Sequence, residues 1–141
     1  MKCARELELV RKQALELWRK EALKEWKKLE EESKNFCDNV IGVHLNEIAS
    51  NPQGGAIRYL VNLATYTDKY NHQVLCPLGR DGNKYADGTL SYSPNTNIRY
   101  SKEALEEYLT AHCLTVQWGT ADYMRYGWGS CEALTLLVSV E

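Results

Sequence analysis

"CARELELVRKQALELWRKEALKEWKKLEEESKN", residues 3–35, holds neither Gly nor Pro and is built mostly from Ala, Leu, Glu, Lys, Arg and Gln. All are strong helix formers, and the stretch predicts one long helix. At about 100° per residue, Ala4, Leu7, Val10, Ala14, Leu15, Leu17, Trp18, Ala22, Trp26, Leu29 and Phe36 fall on one broad side, with Leu9 and Leu23 opposite. The stripe Leu15, Trp18, Ala22, Trp26, Leu29 advances in steps of 3, 4, 4 and 3, which suits a straight helix better than a strict heptad. Glu16 with Lys20 and Glu30 with Lys34 are favourable i,i+4 pairs, whereas Lys28 with Glu32 is reversed.

A helix of this length runs roughly 50 Å at 1.5 Å per residue and outruns a compact domain of about 100 residues. Part of the stripe therefore has no surface of its own chain to cover. Leu15, Trp18, Ala22, Trp26 and Leu29 are expected to join the protein to further copies of itself or to a partner. The competing expectation is that the helix bends back over the sheet.

Outward from the helix the texture changes. In "VIGVHLNEIASN" the alternation of Ile41, Val43 and Leu45 predicts a strand. "NPQGG" at 51–55 reads as a turn, and "AIRYLVNLATYT" places Ile57, Tyr59, Val61, Leu63 and Thr65 on one face. The two pieces together read as a hairpin, with a helix over 56–70 as the alternative. "HQVLCPLG" is a short extended piece, and "RDGNKYADGTLSYSPNTN", 80–97, a long polar loop of the kind that often binds or closes over something. "SKEALEEYLTAH" is a second helix with Ser101 as N-cap and Ala104, Leu105, Tyr108 and Leu109 as its buried stripe. "CLTVQWG" and "EALTLLVSVE" are strands, the last alternating Leu134, Leu136, Val138 and Val140. The expected fold is α+β: a long N-terminal amphipathic helix (1–36), then a compact domain (37–141) with a mainly antiparallel sheet and one further helix.

With 141 residues the chain has enough length for one core. No apolar run approaches the roughly 20 residues of a membrane span, and "MKCARELELVRKQ" turns charged too early for an export signal. Five irregularly spaced Cys make a poor disulfide framework and favour free thiols in a cytoplasmic protein. Up to Phe36 ten Lys or Arg face eight acids, and beyond it seven face eleven, so the part expected to fold compactly is acidic. Duplex nucleic acid is disfavoured as a partner, because its readers carry a basic excess there.

The most chemically suggestive stretch is "TADYMRYGWGSCEAL", 120–134. Its Cys131 lacks the following helix N-terminus that stabilises a thiolate, and reads as architecture. His72, Cys76, His112, Cys113 and Cys131 do not form the paired spacings of a structural zinc site. "DGNKYADG" fails as a calcium loop at Ala86 and Tyr92, and "NPQGGA" lacks the Lys-Ser/Thr ending of a phosphate loop. Glu47, Asp122 and Glu132 form no arguable acid–base pair. No catalytic residue, metal or cofactor is assigned.

The feature above background is the aromatic and Arg inventory, with three Arg beside Tyr in "IRYL", "IRYS" and "MRYG". Tyr and Trp offer large rigid contact area, and Arg stacks on them or forks onto carboxylate and phosphate. Arg58, Tyr59, Arg99, Tyr100, Trp118, Tyr123, Arg125, Tyr126 and Trp128 are the candidate ligand- or partner-binding residues. Together these features point to a non-enzymatic oligomeric binding protein, such as an inhibitor of the phage or mobile-element type acting on a protein target. The alternatives are a protein that sequesters a nucleotide-type ligand between subunits, and a small thiol-dependent hydrolase.

Overall fold

The computed structural model describes residues 1–50, 52, 56–61, 66–76, 78–80, 98–125 and 129–140. Helix α1 spans Ala4–Phe36, within one residue of the range its composition predicts. It does not stop there. A π-helical turn, Cys37–Ile41, leads directly into α2, Gly42–Ala49. The strand expected from Ile41, Val43 and Leu45 is therefore helix. Ile41 and Leu45 fit either period, and Val43 decides between them: it is 50% exposed while Ile41 is fully buried, as one face of a helix requires. The π turn supplies one extra residue, and the buried seam shifts from Leu29, Ser33 and Phe36 to Cys37, Ile41 and the half-buried Leu45 and Ile48. The hairpin predicted between 41–45 and 57–65 is absent for the same reason.

Strand β1, Ala56–Val61, pairs instead with the distant C-terminus. After β2 (Tyr66–Thr67), β3 (Gln73–Leu75), β4 (Leu78–Arg80) and β5 (Tyr100–Ser101) comes α3, Lys102–Ala111, followed by β6 (Thr115–Arg125) and β7 (Gly129–Ser139). One antiparallel sheet has the order β4-β1-β7-β6, and a smaller one β2-β3-β5. Residues 81–97 of the predicted loop, with Leu63 and Thr65, lie outside the described residues.

The alternation of the last strand appears as read, up to its end. Leu136 and Val138 are buried with Ile57 and Tyr59 on the inner face, while Val140, past the strand, is exposed. Phe36 sits between Tyr59 and Tyr100, with ring centroids 5.7 and 4.9 Å away, so the end of α1 is a hub of the core.

Ser101 caps α3 as its position predicts, its Oγ accepting from the Ala104 N–H at 3.2 Å. At the other end His112 and Cys113 leave the helix instead of opening a strand. Cys113 adopts φ 61°, with the Leu114 N–H donating to the Leu109 carbonyl and the Cys113 N–H to the Thr110 carbonyl. This is a Schellman closure with Cys where glycine is usual.

Candidate functional site

The two ends of α1 have different surroundings. Its C-terminal half is bound into the chain. Ser33, fully buried, donates to the Leu29 carbonyl at 2.7 Å and accepts from the Ser101 N–H at 2.9 Å, tying α1 to β5 and to the start of α3. Further up, the turn between β2 and β3 docks on the helix. Asp68 organises this turn: its Oδ1 accepts from the N–H groups of Tyr70 (3.0 Å) and His72 (2.8 Å), and its Oδ2 lies 3.1 Å from His72 Nδ1. Asn71 takes the left-handed conformation that closes the loop, at φ 67°. The turn sets Tyr70 edge-on to Trp18 at 5.4 Å and His72 against Trp26 at 5.2 Å, and the Tyr70 hydroxyl donates to Glu21.

Residues 1–21 are exposed throughout. Leu7 at 55%, Leu17 at 59% and Trp18 at 45% are far more open than apolar side chains on a docked helix. Most of the exposed large apolar side chains among the described residues lie on this arm, and a concentration of that kind usually marks an interaction surface.

Beside the docked turn, a cleft of about 340 Å³ is lined by Lys28, Lys69 and Arg99, by Glu25, Glu32 and Asp68, and by the rings of Tyr66 and Tyr70. Three cations thus share the lining with three carboxylates. At the junction of α1 and α3 the Tyr108 hydroxyl donates to Asp38 at 2.5 Å, and this hydrogen bond holds the phenol proton above its ordinary range. The neighbouring Cys37 thiol is pushed up to about 12, first by burial and then by Asp38. It stays protonated at neutral pH and is no nucleophile. Among the described residues no three His, Cys, Asp or Glu side chains cluster to hold a metal, and no helix is long and apolar enough to cross a membrane.

The candidate residues are dispersed. Tyr59 and Tyr100 belong to the core, not the surface: Tyr59 is fully buried with its hydroxyl 2.7 Å from His44 Nδ1, and Tyr100 packs on Phe36. Alternation turns the half-buried Arg58 to the opposite face of the sheet. Arg99 is half-buried at the cleft, with Nη1 donating to the Ile98 carbonyl at 3.1 Å. Trp118 donates to Glu106 at 3.3 Å and carries the Lys102 ammonium 5.0 Å above its ring. Tyr123 pairs with Cys131 and Arg125 with Gly129 in the β6–β7 ladder, well beyond the end of β1. Tyr126 and Trp128 lie outside the described residues. Cys131 is the third residue of β7.

The predicted helix stripe is divided in the same way. Leu29 is buried and Ala22 and Trp26 half-buried within the chain, while Leu15 and Trp18 stay exposed. Sequence reasoning did not foresee the docking role of Asp68, Tyr70 and His72, which hold the turn on α1. An Asp opening a short polar turn that contains Asn was the available signal. No protein-family model, curated protein or solved structure matches the chain.

Proposed function

We propose that this protein is a non-enzymatic binding protein that works as a small oligomer joined through the N-terminal half of α1, and that it acts on a protein target. The observation that carries the reading is the exposed arm, residues 1–21, with Leu7, Val10, Leu15, Leu17 and Trp18 open to solvent. An inhibitor of the phage or mobile-element type remains the closest functional analogy. Of the aromatic and Arg side chains whose burial is described, Arg58, Arg99 and Trp118 keep partial exposure through which a target can be met.

Sedimentation equilibrium of the full chain tests the oligomer. A multiple of 16.2 kDa is expected, falling to the monomer in Leu7→Lys/Leu17→Lys while the circular dichroism melt is unchanged. A wild-type monomer at all concentrations overturns the reading. For the target, Arg58→Ala/Arg99→Ala is expected to abolish capture that the wild type shows.

A second reading, a nucleotide-type small ligand, is supported by the two Tyr rings with Lys28, Lys69 and Arg99 in a cleft at the lower end of ligand-site volumes, and opposed by Glu25, Glu32 and Asp68 beside them. Protein purified gently from cells and retaining material that absorbs near 260 nm would support it. Clean protein that binds no added nucleotide would remove it.

A further inference from the structure

The docked half of α1 faces its body with Ala22, Trp26, Leu29, Ser33 and Phe36. On the arm a different stripe takes over. Cys3, Leu7, Val10, Ala14 and Leu17 advance in steps of 4, 3, 4 and 3, a strict heptad pattern, and all five are exposed. At about 100° per residue, this stripe lies about 100° around the helix from the docked face. The next two positions in the pattern are Glu21 and Lys24, and Glu21 accepts from the Tyr70 hydroxyl of the body. The seam therefore ends where the chain's own body begins.

We infer that this seam pairs with the same seam of a second copy, antiparallel, with its two-fold axis beside residue 12; the inference rests on the oligomer reading above. Leu7 then faces Leu17 of the other copy and Val10 faces Ala14, so every layer joins residues whose numbers sum to 24. Each Val is matched with an Ala, which evens the layer volumes. On the flank, Glu6 faces Lys20 twice and Gln13 meets its own copy at the axis. Arg11 also meets its own copy there, an exposed like-charge contact of small cost in water.

A parallel pair fares worse for a reason built into α1. The helix continues rigidly to Phe36, so a parallel seam would carry on past Leu17 and set Glu21 against Glu21 and Lys24 against Lys24. It would also stack Ala14 on Ala14 and leave a gap. The antiparallel pair overlaps the apolar stripe from Leu7 to Leu17, and at each end Cys3 meets Glu21 of the other copy, where that copy's body begins. Two heptads make a small interface, so the dimer is concentration-dependent. Because docking of the lower half already holds α1 helical, pairing does not carry the cost of helix nucleation.

Cross-linking tests the register in full-length chain with Cys3→Ser, Cys113→Ser and Cys131→Ser, which leaves only the buried thiols of Cys37 and Cys76. Val10→Cys and Ala14→Cys are added to separate preparations, oxidised alone and then mixed. Cross-linked dimer is expected only from the mixture, and alone each preparation stays uncross-linked. Dimer from Val10→Cys alone establishes a parallel pair and overturns this inference while leaving the oligomer reading intact. An oligomer by sedimentation that yields no cross-link in any mixture also overturns the seam, and a monomer at roughly 100 µM, far above the Kd of a stable dimer, overturns both.

Discussion

The two halves of α1 are nearly the same polymer. Both mix Leu, Ala and Trp with Lys and Glu, and both present an apolar stripe. The half from Ala22 to Phe36 is fastened by the Phe36 ring, the Ser33 hydroxyl and the 66–72 turn, whereas among the described residues the half before it is tied to the body through Tyr70 at its last turn. Amphipathicity therefore says that a helix has a face to bury, and not what covers it.

That contrast can be broken by substitution. Phe36→Ala is expected to destabilise the monomer most, by about 3–5 kcal/mol, because it empties a site between two aromatic rings. Leu7→Ala, on the arm, is expected to change monomer stability by no more than about 0.5 kcal/mol. Urea unfolding at low protein concentration measures both, and equal losses would show that the arm is docked after all.

Ser33→Ala comes next, at about 1–3 kcal/mol. It leaves the buried Ser101 N–H without the hydroxyl it donates to. A loss well below 1 kcal/mol in the same assay would mean that this hydrogen bond does not hold the lower half in place.

Alkaline pH sharpens the comparison further. The folded Cys37 thiol titrates at about 12 against an ordinary 9.0. Its contribution is complete below pH 9 and is lost as pH rises toward 12, since only the unfolded chain ionises there. Stability measured from pH 8 to 11 is expected to fall, and to fall less steeply in Cys37→Ala. Parallel slopes would show that the thiol is not buried.

The smallest effect is a gain. Cys113→Gly is expected to stabilise by about 0.5–1 kcal/mol by relieving the left-handed backbone, read as a higher midpoint in urea. A loss would mean that the Cys side chain makes a contact worth more than the strain.

Much of the secondary structure was legible because it is local. A run of helix formers without Gly or Pro defined α1 to within a residue, Ser101 as N-cap marked the start of α3, and Leu136 and Val138 alternated onto the core face. Residues 41–49 were misread because Ile41 and Leu45 satisfy two periods at once, and only the exposure of Val43 separates them. The candidate site was less legible. Tyr59 and Tyr100 look like their surface counterparts in sequence, and they are buried because β7 and Phe36 reach them from distant parts of the chain.

By itself, then, the sequence determined most of the helical and extended segments, 41–49 excepted, and which faces are apolar, since propensity and periodicity act over a few residues. The tertiary structure alone decided which part of the long stripe is covered and which Tyr are core. It also decided that a second, heptad-spaced stripe is left open on the arm. Burial requires a partner surface, and that surface is assembled from segments far apart in the chain.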